Sequence, residues 1–247
     1  MTSLQEPFDV SVIITTTLRP SLKRAVESIF SQDHEGRIQI MLGVDKRDGD
    51  PGIIDTLNAE CPENMAITVI DNGYSTAERN GGLYSSFSGG SMRTVLSYAA
   101  NSRYITYLDD DNWYAPYHIN QLLNVIPGNA WAYSFRWFVD QGTDDVLCID
   151  DFVSVGNGKG VFAKAFGGFV DTNCMLIDKL QFHQVLPLWC NALMKNGTAV
   201  DHRVYQAIRD TGLPHNMTAR PSVYYVVEYQ KYPYITEYLK RKGIIEG

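Results

Sequence analysis

The chain has 247 residues, 45% of them apolar and 20% charged, an ordinary globular composition that argues against intrinsic disorder. Asp and Glu number 28 against 21 Lys and Arg, and the formal net charge of −7 has the wrong sign for a nucleic-acid binder. Where the carboxylates sit is therefore the question to follow along the chain.

Residues 1–7 carry neither the basic start nor the apolar core of a signal peptide. No apolar run approaches the roughly 18 residues needed to span a bilayer. Cys61, Cys148, Cys174 and Cys190 form no Cys-x-x-Cys pair and are read as free thiols. Asn196-Gly-Thr198 and Asn216-Met-Thr218 are read as chance matches to the glycosylation pattern. The expectation is a cytoplasmic protein. Peripheral contact with the inner membrane face and a homo-oligomer both stay open.

Val10–Thr17 is a β-branched run too continuous for a half-exposed strand, so it predicts a strand covered on both faces. Arg19-Pro20-Ser21 breaks it, with Ser21 as the expected N-cap of a helix whose apolar positions are Leu22, Ala25, Val26, Ile29 and Phe30. A second strand spans Ile38–Val44 and stops at Asp45–Asp50. A helix near Ile53–Asn58 and a third strand at Ala66–Ile70 follow. This βαβαβ rhythm predicts a doubly wound parallel sheet with ligands at the carboxyl ends of its strands. A Gly- and Ser-rich loop, Asn80–Gly90, leads to a helix at Ser91–Ala100. A fourth buried strand, Arg103–Leu108, then runs into Asp109-Asp110-Asp111.

The second half is less regular. Strands are predicted at Ala130–Val139, with Trp131, Tyr133, Phe135 and Trp137 along one face, and at Val146–Val155. Gly156–Gly160 is a glycine-rich turn matching no phosphate-binding fingerprint. Val200–Arg209 predicts a helix ended by Gly212 and Pro214. The tail, Tyr229–Lys242, is expected to pack as a closing helix, with a membrane or dimer contact as the other readings. The whole chain, 1–247, is expected to form one domain. A regular half covers about 8–120, a less regular half about 121–228, and a tail 229–247.

Three aspartates at the end of an apolar strand are the strongest signal. Packed like charges need a cation or several donors to offset their repulsion. Mg²⁺ or Mn²⁺, bound through one or two carboxylates and substrate phosphates, meets that need. Strand alternation puts Asp109 and Asp111 on one side and Asp110 on the other.

These passages resemble a family 2 glycosyltransferase of the GT-A fold. The match is carried by Ser11–Arg19 with Ser28–Gln32, by Leu42-Gly-Val-Asp45, by Gly90–Ala99, and by the DXD-like Tyr107–Trp113, in that order. The resemblance implies an α/β fold, Rossmann-like, with a mostly parallel central sheet flanked by helices and a smaller mixed acceptor-side region. It implies transfer of a sugar from a nucleotide-diphosphate donor, UDP-sugar favoured, to a glycan, glycolipid or small-molecule acceptor. Thr15, Thr16, Thr17 and Arg19 would meet the nucleotide, Asp45 the base, and Arg93 the base or diphosphate. Asp109 would touch the ribose or a divalent metal (Mn²⁺ or Mg²⁺), Asp111 would be the direct ligand, and Asp110 is assigned with the donor site. Simple turn, cap or surface roles stand beside each of these.

In such a transferase an aspartate at a downstream helix start acts as base, and Asp201 fits, with Val200 replacing the usual acidic neighbour. Asp171 is its competitor, and Asp150-Asp151 a weaker one. His202 or His215 would complete a metal site, or else sit as ordinary histidines. Trp113 and Trp189 are expected in the core rather than on sugar rings. Retaining chemistry and a non-catalytic sugar-nucleotide binder stay open. A nucleotidyltransferase is disfavoured because Thr15–Pro20 contains no glycine.

Overall fold

A computed structural model of the chain describes residues 6–86, 89–194 and 199–246. Residues 1–5, part of the Asn80–Gly90 loop and the Asn196 sequon lie outside the described residues. Among those described, no helix is long and apolar enough to cross a membrane.

The first strand, β1 (Phe8–Thr16), buries Val10, Val12 and Ile14 on one face and Ile13 on the other, as its unbroken apolar run requires. Burial of each such side chain contributes about 1.5–3 kcal/mol. The first helix, α1 (Ser21–Phe30), buries Leu22, Ala25, Val26 and Ile29. Ser21 is not its N-cap. Pro20 occupies that position without a side-chain cap, and the first turn instead uses the carbonyls of Arg19 and Pro20. The elements β2 (Ile38–Val44), α2 (Gly52–Glu60), β3 (Met65–Asp71), α3 (Gly90–Ala99) and β4 (Ser102–Tyr107) follow close to their predicted bounds. Gly43 of β2 lies under Met92 of α3, where a Cβ would clash with the Met92 side chain, so glycine lets this helix sit close on the sheet.

Next come the two-residue strand β5 (Trp113–Tyr114), α4 (His118–Val125), β6 (Trp131–Asp140), β7 (Val146–Ile149), β8 (Gly156–Asn157), α5 (Ala163–Phe166), β9 (Gly168–Phe169) and β10 (Met175–Asp178). Last are α6 (Val200–Asp210), β11 (His215–Val227) and α7 (Pro233–Arg241). Among the described residues, nine strands form one sheet in the order β3-β2-β1-β4-β10-β6-β11-β5, with β7 added on β6. From β3 to β4 all pairings are parallel, and β10 enters antiparallel between β4 and β6. Pairing of β6 with β11 is again parallel. The result is a mostly parallel sheet flanked by helices, with its mixed part on the β6 side.

The predicted Val146–Val155 strand is cut at Ile149. Asp150 folds back, and its carboxylate accepts the N–H groups of Phe152, Val153 and Ser154 at 3.0, 2.7 and 3.0 Å, which makes a turn where hydropathy suggested a strand. The glycine turn at 156–160 opens a longer excursion than a plain hairpin: β8 pairs with β9, with α5 between them. The tail packs as α7, burying Ile235, Tyr238 and Leu239.

Candidate active site

The carboxyl ends of β1, β2 and β4 meet at a cavity of about 570 Å³ lined by Thr15, Thr16, Thr17, Arg19, Asp45, Arg93, Asp109, Asp110 and Asp111. All nine donor-side residues singled out in the sequence converge there. A glycine makes room for them: Gly89, at φ 61°, holds the start of α3 against β1, where a Cβ would sit 2.9 Å from Thr15 Cβ.

The three aspartates part ways. Asp110 is buried and turns back into the fold, accepting the Thr16 hydroxyl at 2.7 Å and pairing with Arg19. Thr16 in turn accepts the Leu18 N–H at 2.8 Å, which fixes Leu18 in a left-handed conformation (φ 64°) as the chain leaves β1. Thr16 and Asp110 thus shape the rim of the cavity. Asp109 pairs with Arg93, itself buried and 5.1 Å from the Trp189 ring. Asp111 keeps a half-exposed side chain, 37% accessible, with Arg19 Nη1 at 3.4 Å. Burial, with Asp109 and Asp110 repelling from the side, raises its pKa to about 6 despite Arg19.

Asp45 is 5% exposed. Its Oδ2 accepts the Ser75 hydroxyl at 3.1 Å, and its Oδ1 has no partner among the described residues. A buried carboxylate oxygen without a donor is costly, so Asp45 presents an open acceptor to whatever enters.

A second cavity of about 470 Å³ adjoins the first and shares Arg79, Arg93, Asp109, Tyr225, Val227 and Tyr232 with it. Asp201 and Asp171 both line it. Asp201 stands in the first turn of α6, entered through Ala199 at φ 61°. Its Oδ1 accepts the His202 N–H at 2.9 Å. Burial and then Asp171 raise its pKa to about 6, a range suited to a base working near neutral pH.

Asp171 is committed elsewhere. Its Oδ2 meets Arg136 Nη1 at 2.6 Å, and its Oδ1 accepts from the backbone and side chain of Asn173 at 2.9 and 2.7 Å. Arg136 is 2% exposed, pairs also with Asp150 at 2.8 Å, and lies over the Tyr225 ring at 3.7 Å. Asp151 pairs at the surface with Lys242 at 2.5 Å.

His202 is buried against Phe169, ring centroids 4.1 Å apart, and burial lowers its pKa to about 4. His215 stacks on Trp131 at 4.6 Å, away from both cavities. Trp189 is a core residue donating its N–H to the Tyr107 hydroxyl at 3.1 Å, and Trp113 stacks on Tyr224. Among the described residues, no three His, Cys, Asp or Glu side chains converge as a self-sufficient metal cluster. The half-exposed Asp111 is the carboxylate open to a hard cation that completes its shell from a ligand's phosphates, whereas Arg93 and Asn173 engage both oxygens of Asp109.

Sequence reading missed further walls of the cavities, most of them given by the second half. Tyr225 and Val227 end β11, Tyr232 precedes α7, and Arg79 stands on the short helical turn Glu78–Asn80. It also missed Asn112, which is buried and ties the aspartate turn to β11 by accepting the Val226 N–H at 2.8 Å. Arg136 carried a signal, since an arginine inside an aromatic strand needs a buried partner.

The sheet order, the helices on its faces and the site at the strand ends define a GT-A type fold. Solved structures that share it include S. aureus TarS residues 1–349 in complex with UDP-GlcNAc, with TM-score 0.63 and 10% identity over 89% of this chain and 59% of that one. The same TarS segment in complex with UDP gives 0.59 and 10% identity over 95% and 65%. A longer TarS structure gives 0.60 and 9% over 95% and 39%. The chain thus spans 39% to 65% of the length of these structures. No protein-family model matches the chain, and no curated protein sequence does.

Proposed function

We propose that the chain is a glycosyltransferase that moves a sugar from a nucleotide-diphosphate donor to an acceptor hydroxyl with inversion, using Asp201 as base. The observation that carries this reading is the pair of joined cavities, one walled by the strand-end residues and the other holding Asp201 beside aromatic rings. A UDP donor is favoured because TarS structures of the same fold hold UDP and UDP-GlcNAc.

In this reading the first cavity takes the nucleotide. Asp45 Oδ1, lacking a donor of its own, accepts from the base, while Arg93 and Arg19 face the diphosphate. Asp111 would hold Mn²⁺ or Mg²⁺, which supplies Lewis-acid neutralisation of the leaving diphosphate, while Asp109 stays engaged by Arg93 and Asn173. Phe162, Phe169, Tyr225, Tyr232 and Tyr234 line the second cavity and suit the apolar faces of a sugar acceptor. The acceptor oxygen attacks the anomeric carbon, the bond from that carbon to the diphosphate breaks, and its electron pair leaves with the diphosphate. Asp201 takes the acceptor proton. Asp171 is the poorer base because Arg136 and Asn173 occupy both its oxygens.

Screening sugar nucleotides with Mn²⁺ for thermal stabilisation identifies the donor. With that donor, Asp201→Asn should bind as the parent does and lose transfer by about 10²–10⁴-fold, the usual worth of a general base. Full turnover by this variant would pass the role to Asp171.

A further inference from the structure

We infer that Asn173 is a positioning residue for the donor site: it clamps Asp109 in place, and the buried Arg136–Asp171 pair clamps Asn173. This rests on the reading of the first cavity as a nucleotide site and assigns work to three residues that the proposed reaction leaves unused.

The geometry is a two-sided grip. Asn173 Oδ1 accepts the backbone N–H of Asp109 at 2.7 Å, while its Nδ2 donates to Asp109 Oδ2 at 2.9 Å. One planar amide thus holds the backbone and the carboxylate of the same residue, leaving Asp109 Oδ1 to Arg93. The amide itself is held, since its Nδ2 and the Asn173 N–H both donate to Asp171 Oδ1 at 2.7 and 2.9 Å. Arg136 fixes the other oxygen of Asp171 at 2.6 Å and is anchored by Asp150 at 2.8 Å. Asn173 is 1% exposed, Arg136 2% and Asp150 1%, so water does not compete for these contacts. Only an amide satisfies this position. It must accept from a backbone N–H while donating to two carboxylates, which neither an aspartate nor an apolar residue does.

Thr172–Cys174 is a single turn between the strands β9 and β10, and Asp171 caps it by accepting the Asn173 N–H. The turn carries the acceptor-side ion triad directly onto the end of β4. Asp171 therefore acts on the first cavity through Asn173.

A double-mutant cycle tests this on the full chain, with UDP titrated calorimetrically in the presence and absence of Mn²⁺. Asn173→Ala should lower UDP affinity with Mn²⁺ by about tenfold, Asp109→Ala at least as much, and the double variant no more than Asp109→Ala alone. Additive losses, or parental affinity in Asn173→Ala, would overturn the clamp. Asn173→Ser, which keeps one hydroxyl donor, serves the same cycle if the alanine variant does not fold. The crystal structure of the Asn173 variant is a readout independent of nucleotide. Asp109 displaced from Arg93 supports the clamp, and Asp109 unmoved overturns it. Absence of UDP binding in the parent chain, with Asp109 displaced in the variant, would count against the nucleotide reading and leave the clamp standing.

Discussion

The two halves of the sheet solve the same problem with different chemistry. From β3 to β4 the interior is uncharged, with Val10, Val12, Ile14, Ile40 and Leu42 inaccessible to solvent beside a small buried polar link from Ser11 to Gln39 at 2.8 Å. Charges appear only where strands end. From β10 to β11 the interior contains an ion triad, with Arg136 between Asp150 and Asp171 and under Tyr225. Apolar packing tolerates regular geometry and gives a rigid floor for a ligand. A buried triad fixes directions, and here it points through Asn173 at Asp109 in the first cavity. The charged half yields less stability for the atoms it buries, because desolvation cancels much of the pairing energy.

That contrast can be broken experimentally. Arg136→Met leaves Asp150 and Asp171 buried without a counter-charge and should cost about 3–5 kcal/mol in urea unfolding. Ile14→Ala, a cavity in the apolar half, should cost about 2–5 kcal/mol and leave the acceptor-side residues in place. A cost near zero for Arg136→Met would show that the triad is not what holds the second half.

The pH profile tests Asp201. A base must be deprotonated to act, so transfer should rise with pH through an apparent midpoint near 6, and the rate should fall tenfold per unit below it. Stability runs the other way. The folded state holds the Asp201 proton up to about 6, whereas the unfolded chain releases it near 3.9, so stability falls as pH rises through that window. Asp201→Asn should therefore raise the melting temperature above pH 6, and the gain should vanish below about pH 4. A flat difference across that range would contradict the assigned protonation. The smallest effect belongs to the rim: Arg19→Ala removes the half-exposed partner of the buried Asp110, which keeps the Thr16 hydroxyl, and should cost about 1–3 kcal/mol.

Legibility in the sequence divides along the same line. A β-branched run exposed β1, apolar runs exposed β2 and β4, and strand-end aspartates exposed the first cavity, because an apolar strand that stops at charge is a strong one-dimensional pattern. β11 was invisible because Ala219 at φ 52° and two register shifts around Pro221 break its alternation. β10 was hidden because four residues carry too little periodicity. Asp171 looked like a base because sequence shows its acidity and not Arg136, which lies 35 positions away in the chain. Residue type marks chemistry, and only the fold reveals which carboxylates are already spoken for.

In the proposed function this acidic chain binds an anionic diphosphate through a cation held at Asp111. Calorimetric titration of UDP into the chain and into Asp111→Ala, each with and without Mn²⁺, tests it most directly. Parent binding should strengthen with Mn²⁺, and the variant should lose that gain while remaining folded. The same Mn²⁺-dependent affinity in Asp111→Ala would contradict the account.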